Sequence, residues 1–311
     1  MPAKTTLNVE GVEVPVSNLQ KVLYPKVGFT KGDLIDYYIR VSPVMLPHLK
    51  ARAITLKRYP DGVEGFFFYE KQCPSHRPKW LQTTDVDRSD GTEINYCVIS
   101  TLPALVWTVN LANLEFHAFL HHAESTDRPA VIAFDLDPGP PADIITCCRV
   151  GLLVKRLFDG MGLQSFAKTS GSKGLQVYVP LNTPTTYEKT KPFAQSVAQL
   201  LEQQLPDLVV SKMLKKLRTG KVFVDWSQND DHKTTVNVYS TRAKDHPTIS
   251  TPVTWDEVEA ALKKKKPALL TFETKDVLKR VEKFGDLFEP VLTLKQKLPS
   301  LKTLAAQKLG I

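Results

Sequence analysis

The sequence predicts an α+β fold with a central, largely antiparallel sheet flanked by helices. Strand-length runs, either apolar or alternating, are joined by tight turns such as Tyr59-Pro60-Asp61-Gly62, the signature of hairpins. Between them lie longer segments with apolar residues at helical spacing, as in Leu34, Tyr37, Tyr38 and Val41. With 311 residues and 42% hydrophobic content, the chain can bury the core of one large domain or two intimate lobes.

In order, residues 7–17 read as short strands about the turn at Glu10-Gly11, and Thr30 caps a helix running toward Pro47. Residues 53–58 and 65–71 form two strands across the Tyr59–Gly62 turn, and residues 84–93 are a polar stretch. A strand over 94–99, a helix near 101–113 and a strand over 114–119 follow. Val131 to Asp137 is an apolar strand, followed by a helix over 142–159 and strands at 165–169 and 175–180. A helix spans 187–204, a short basic helix 211–218, strands 221–226 and 234–239, and helices 254–264 and 274–283. Residues 1–290 form one domain on this reading, and 291–311 a Lys- and Leu-rich tail or linker.

The formal net charge of +8 suits a polyanionic partner. Cys73, Cys97, Cys147 and Cys148 show neither a C-x-x-C pair nor zinc spacing, so four reduced thiols are expected. Met1-Pro2-Ala3-Lys4-Thr5-Thr6 lacks the apolar core of a secretory leader, and no run approaches the ~20 apolar residues of a membrane span. A cytoplasmic protein with no membrane partner is the expectation.

Phe134-Asp135-Leu136-Asp137-Pro138-Gly139 carries the most chemistry. Side chains alternate along a strand, so Asp135 and Asp137 share one face while Leu136 enters the core. Carboxylates held side by side must share a proton or a cation, and hard ions such as magnesium or manganese take such ligands. Asp225, ending the apolar run Lys221-Val222-Phe223-Val224-Asp225-Trp226, is the third acid that a two-ion site needs. Ser170-Gly171-Ser172-Lys173-Gly174 is a tight turn whose backbone N–H groups, serine and lysine suit a phosphate, though its order is not that of a Walker A loop. Lys233 and Arg242 are cations that could neutralise a triphosphate or simply lie on a solvated face, and His117, in the strand Leu114-Glu115-Phe116-His117, is on its own as readily structural.

These segments, in this order, closely resemble the polymerase domain of bacterial and archaeal ligase D, in the archaeo-eukaryotic primase superfamily. The similarity includes Lys21-Val22-Leu23-Tyr24-Pro25, Lys57-Arg58, Glu70-Lys71-Gln72, His117 and Tyr239-Ser240-Thr241-Arg242, over about residues 10–290. The resemblance implies a primase–polymerase fold and a template-dependent nucleotidyltransferase that fills gaps and extends 3′ ends in non-homologous end joining, favouring ribonucleotides. It implies Asp135, Asp137 and Asp225 as catalytic ligands of two divalent ions, Mn2+ or Mg2+. It places His117, Ser170, Lys173, Gln176, Lys233, Arg242 and Lys57 on the incoming nucleotide. Lys21 and Lys31 would grip a 5′-phosphate, Phe68 and Tyr69 stack on a template base, and Arg218 guide the template or primer end. Implied partners are NTP or dNTP, DNA with 5′-phosphorylated gaps or broken ends, Ku, and an ATP-dependent DNA ligase.

Gln176 departs from the histidine common in that family; it donates hydrogen bonds but never carries charge. No Lys-x-Asp-Gly nucleotidyl-lysine motif is present, since Tyr59 stands where the lysine would be in Tyr59-Pro60-Asp61-Gly62. The chain is therefore expected to be a free-standing polymerase or a domain, not the ligase itself. One alternative uses the same three aspartates, a primase that starts chains without a primer; the other, a non-catalytic scaffold for DNA ends, is disfavoured by the intact acid triad.

Overall fold

The computed structural model describes residues 4–87 and 91–307. The chain divides into two compact units, each drawn from three separate stretches. The first takes its described residues from Met1–Glu124, Thr234–Ser250 and Phe272–Asp286, and the second from Ser125–Lys233, Thr251–Thr271 and Leu287–Ile311.

In the first unit, hairpin Lys4–Val9 and Val12–Ser17 turns at Glu10 and Gly11, both with positive φ (51° and 81°), as a turn matching strand twist requires. A six-stranded sheet runs in the order Thr234–Val236, Asn113–Phe119, Ala53–Arg58, Glu93–Val98, Thr83–Asp87, with Phe68–Glu70 also paired to Ala53–Arg58. All its pairings are antiparallel. Helix Lys31–Leu49 starts in a capping box in which Thr30 and Asp33 exchange side-chain-to-backbone bonds. Its buried face of Leu34, Tyr37, Tyr38, Val41 and Met45 follows the three-to-four spacing seen in the sequence. The Tyr38 hydroxyl donates to the Leu114 carbonyl at 2.8 Å, tying the helix to the Asn113–Phe119 strand.

In the second unit, another six-stranded sheet runs Val209–Val210, Val222–Asp225, Val131–Pro138, Leu175–Pro180, Phe166–Thr169, Pro252–Val253. Only the Val209–Val210 pairing is parallel. Helices Ile144–Gly160 and Tyr187–Gln204 both contact the Val131–Pro138 strand. Its first four residues are all buried, which is why the strand reads as a continuous apolar run rather than an alternating one.

The α+β class and antiparallel character agree with expectation, but the strands fall into two large sheets, one in each unit, rather than one. The 65–71 strand shortens to Phe68–Glu70. The 84–93 stretch holds most of strand Thr83–Asp87, whose exposed polar face hides it, and the start of Glu93–Val98; residues 88–90 lie outside those described. The basic helix at 211–218 reduces to a 3-10 turn, Lys215–Leu217. Cys73 and Cys97 are not free thiols. The Cys73 N–H bonds to the Asn95 carbonyl at 2.6 Å, bringing the Cα atoms to 4.9 Å, and the two sulfurs are joined. Cys147 and Cys148 are free and buried. Past residue 290 the chain packs onto the second unit, Gln296 bonding to Gln164 and to the Pro180 and Leu181 backbone. Among the described residues no helix is long and apolar enough to cross a membrane.

Candidate active site

Strand Val131–Pro138 positions the acids of the second unit. In its register Asp135 faces Asp225 on one side and Gln176 on the other, and Gln176 faces Lys168 one strand further. Residues directly opposite in a ladder point to the same face, so Lys168, Gln176, Asp135 and Asp225 form a row across four strands. Asp137 lies on that face two residues along. Burial first, and then Asp137 and Asp225, push the Asp135 carboxyl up to about 6, against a Gln176 hydrogen bond and the Lys168 charge.

Each of the other two acids has protein donors. Asp137 Oδ2 accepts from Arg218 Nη1 at 3.2 Å, and the Arg218 guanidinium lies 3.9 Å from the centre of the Phe223 ring. Asp225 accepts from the Ser227 backbone and hydroxyl at 2.9 and 2.7 Å and from Gln228 Nε2 at 3.0 Å. Lys233 Nζ donates to the Ser227 hydroxyl at 2.7 Å, so it reaches the acid row through Ser227. The predicted triad is thus brought onto one face but not closed around a point. Among the described residues no three His, Cys, Asp or Glu side chains converge as an ion would require. The donor set nevertheless fits a hard divalent cation, whose charge would offset the burial and the carboxylate repulsion that together raise Asp135.

The Ser-Gly turn sits beside the same strand. Ser170 Oγ accepts the backbone N–H groups of Ser172 and Gly174 at 3.2 and 3.1 Å, ordering the turn from within, while Lys173 is exposed. A Cβ on Gly174 would lie 2.2 Å from the Leu136 carbonyl oxygen, so glycine is needed for the turn to lie against the strand between the two aspartates.

In the first unit the predicted cations gather on an acid that sequence reasoning missed. Buried Glu115 pairs with His117 Nε2 at 2.9 Å, Arg242 Nε at 3.2 Å and Lys57 Nζ at 3.4 Å, and also accepts the Ala243 N–H at 3.1 Å. Burial alone would raise its pKa; the His117 hydrogen bond and the charges of Arg242, His117 and Lys57 outweigh burial and hold it well below the carboxylate range. His117 is lowered by burial, with Glu115 opposing. Glu115 and His117 stand two residues apart on one strand, the same alternation that aligned Asp135 with Asp137, and this was the available signal.

Lys57 Nζ lies 4.7 Å from the Phe67 ring centre and 5.3 Å from that of Tyr69, which meets His117 edge-on at 5.9 Å. The exposed aromatics here are Phe66, Phe67 and Tyr69; Phe68 is half-buried under the Arg58 guanidinium. Lys21 and Lys31 are brought together, the Lys31 N–H bonding to the Lys21 carbonyl at 2.8 Å at the start of helix Lys31–Leu49. Lys21 also pairs with Asp61 at 2.8 Å, and Lys31 Nζ, nearly buried, donates to the Asn110 carbonyl at 3.0 Å. Burial and then Lys21 lower Lys31 to about 8. The predicted nucleotide contacts therefore divide: Lys57, His117 and Arg242 belong to the first unit, and Ser170, Lys173, Gln176 and Lys233 to the second.

A family model for the LigD primase–polymerase domain matches residues 30–288. The chain belongs to this family. It is similar to the multifunctional non-homologous end joining protein LigD of Mycolicibacterium smegmatis, 42% identical over 280 residues, covering 89% of this chain and 36% of that protein. It is also similar to the bifunctional non-homologous end joining protein LigD of Bacillus subtilis, 36% identical over 270 residues, covering 86% of this chain and 42% of that protein. This LigD-type chain thus spans well under half the length of those relatives. Among solved structures, the polymerase domain from Mycobacterium tuberculosis ligase D in complex with DNA matches with a TM-score of 0.83 and 39% identity, covering 90% of this chain and 98% of that one.

Proposed function

We propose that this chain is a template-dependent nucleotidyltransferase that fills gaps and extends 3′ ends at DNA breaks during non-homologous end joining, favouring ribonucleotides. The observation that carries this reading is the strand register that sets Asp225 opposite Asp135, with Asp137 on the same face, in a chain of the LigD primase–polymerase family. Asp135, Asp137 and Asp225 would hold two divalent ions, Mn2+ or Mg2+, which when bound polarise a 3′-hydroxyl and neutralise charge on departing pyrophosphate.

The remaining work belongs to the protein's own side chains. Lys57, His117 and Arg242 offer cationic and hydrogen-bonding contacts to a triphosphate and its sugar, prearranged by Glu115. Ser170, Lys173, Gln176 and Lys233 are the nucleotide contacts proposed for the second unit. Phe67 and Tyr69 give a surface on which any base can stack, worth ~1–3 kcal/mol per base, whereas Phe68 lies on the other face of the strand against Phe66 and Arg58. Arg218, held on Phe223, would guide the template or primer end. Lys21 and Lys31 would take a 5′-phosphate, charge-assisted and blind to sequence. Ku and an ATP-dependent ligase are the expected partners.

The test is extension of a gapped, 5′-phosphorylated duplex with each nucleotide type and each metal. The wild-type protein should add nucleotides, ribonucleotides more readily. The Asp135→Ala, Asp137→Ala variant should add none while keeping its fold and DNA affinity. Robust extension by that variant ends the reading, and synthesis without a primer favours a primase.

A further inference from the structure

We propose that Lys168 is a positioning residue that fixes the side-chain amide of Gln176 so that its NH2 group faces Asp135. The inference rests on the reading of Asp135 as a site acid and adds a residue to it. Lys168 is fully buried in the Phe166–Thr169 strand, one strand removed from Gln176 and two from Asp135, in a continuous row. Its Nζ donates to Gln176 Oε1 at 2.5 Å and lies 5.4 Å from the centre of the Tyr178 ring.

An ammonium has three donors and no acceptor, so only the oxygen end of an amide can face it. That leaves the Gln176 NH2 on the opposite side, and Asp135 is the residue directly opposite Gln176 on the neighbouring strand, on the same face of the sheet. Asp135 can only accept in its ionised form, so the two neighbours agree on a single orientation. Without Lys168 the amide could turn its oxygen toward Asp135 and add repulsion to a carboxylate already crowded by Asp137 and Asp225. A buried ammonium costs free energy unless paired, and this one is placed where the acid row offsets that cost.

The proposal explains how an uncharged Gln176 serves at a position where a chargeable residue was expected. The cation stands one strand behind it, and the amide relays the polarity of Lys168 to Asp135. Gln176 is the contact to the acid, and Lys168 acts through it.

The test compares Lys168→Met, similar in length and uncharged, with Lys168→Arg, Gln176→Leu and the Lys168→Met, Gln176→Leu pair. In metal-free protein, the Gln176 side-chain amide resonances, assigned by their loss in Gln176→Leu, should be slow to exchange with water in the wild type. They should exchange rapidly in Lys168→Met and be restored in Lys168→Arg. On a gapped duplex, Lys168→Met should lower kcat by about tenfold or more at unchanged DNA affinity, as expected for losing one oriented bond to a charged group. It should have little further effect once Gln176 is leucine. Unchanged amide exchange in Lys168→Met, or full additivity of the two lesions, overturns the proposal. Failure of the wild-type protein to extend DNA would overturn the polymerase reading instead, while the exchange measurement still judges the lock.

Discussion

Glu115 shows how a single buried anion organises residues far apart in the chain. Lys57 and Arg242 are separated from it by 58 and 127 positions, so no local pattern could have announced the cluster, although Leu114-Glu115-Phe116-His117 held its local half. The alternation that aligned Asp135 with Asp137 applies equally to Glu115 and His117; an acid supporting a basic site is simply harder to recognise than acids forming one. Replacing Glu115 by Gln leaves two or three cations without their counter-ion and should cost about 3–5 kcal/mol, read as lost denaturant stability. The pH dependence has one direction. Glu115 binds its proton less readily folded than unfolded, so its contribution is present above pH ~4.5 and fades on acidification below that. His117 is also lowered, so the unfolded chain takes up its proton first as pH drops through ~6.5, again against the fold. Wild-type Tm should therefore fall in both windows, and Glu115→Gln should flatten the lower one. A lower window unchanged in the variant would contradict this account.

Among the elements, those whose signals are local were legible. Thr30 and Thr254 both cap helices through capping boxes, and the Tyr187–Gln204 helix has the bounds its apolar spacing predicts. What escaped depends on a partner strand. Thr83–Asp87 has one buried side chain, Val86, and is a strand because it pairs residue by residue with Glu93–Val98. The Ser-Gly turn was read as a phosphate cradle, and the structure adds a second reason for its last glycine. Gly174 allows the Leu136 carbonyl to approach, whereas Gly162 has a positive φ of 74° with open space around it. Gly162→Ala should cost roughly 1–2 kcal/mol, the strain of an L-residue in that conformation. Gly174→Ala must instead push apart two backbones beside Asp135 and Asp137, and should cost more than ~3 kcal/mol. Nucleotide addition should fall below the level its residual fold accounts for. Comparing Tm and kcat of the two variants checks the ranking, and equal behaviour would remove the close approach as the cause.

At the scale of the whole molecule, the chain crosses between its two units four times, near residues 124, 233, 250 and 271, and returns once more after 286 to the second. None of these crossings is a glycine- or serine-rich linker, so composition gave no boundary, and strand Thr234–Val236 joins a sheet whose other members precede residue 120. The Cys73–Cys97 bond was hidden for the same reason, since 24 residues separate cysteines that only a completed sheet brings together. A loop of that size contributes ~3–4 kcal/mol in the chain-entropy account, so a reductant should lower Tm in the wild type and leave the Cys73→Ser, Cys97→Ser variant unmoved.

The formal charge of +8 gives the molecule a general attraction to DNA, on which any preference for a particular end must be superimposed. On the proposed function, Lys21 and Lys31 are the residues that would confer one. They are linked through the backbone at a helix start, where first-turn N–H groups favour an anion. The Lys21–Asp61 pair is exposed and weak enough to yield to a phosphate, whereas Lys31 is held by Asn110. A charge-assisted contact contributes ~1.5–3 kcal/mol, so a gapped duplex with a 5′-phosphate should bind on the order of tenfold more tightly than one without at low salt. Raising salt should erode that margin, the screening length being about 8 Å at physiological ionic strength. Raising pH should erode it too. Lys31 loses its proton near 8, well below an ordinary lysine, so the preference should be full near pH 7 and shrink toward pH 9. Lys31→Arg should shift that loss to higher pH, because a guanidinium stays charged there. Lys21→Ala with Lys31→Ala should abolish the preference while sparing addition on a simple primer-template. Equal affinity of the wild-type protein for both gaps at pH 7 and low salt would show that these lysines serve only the helix they begin.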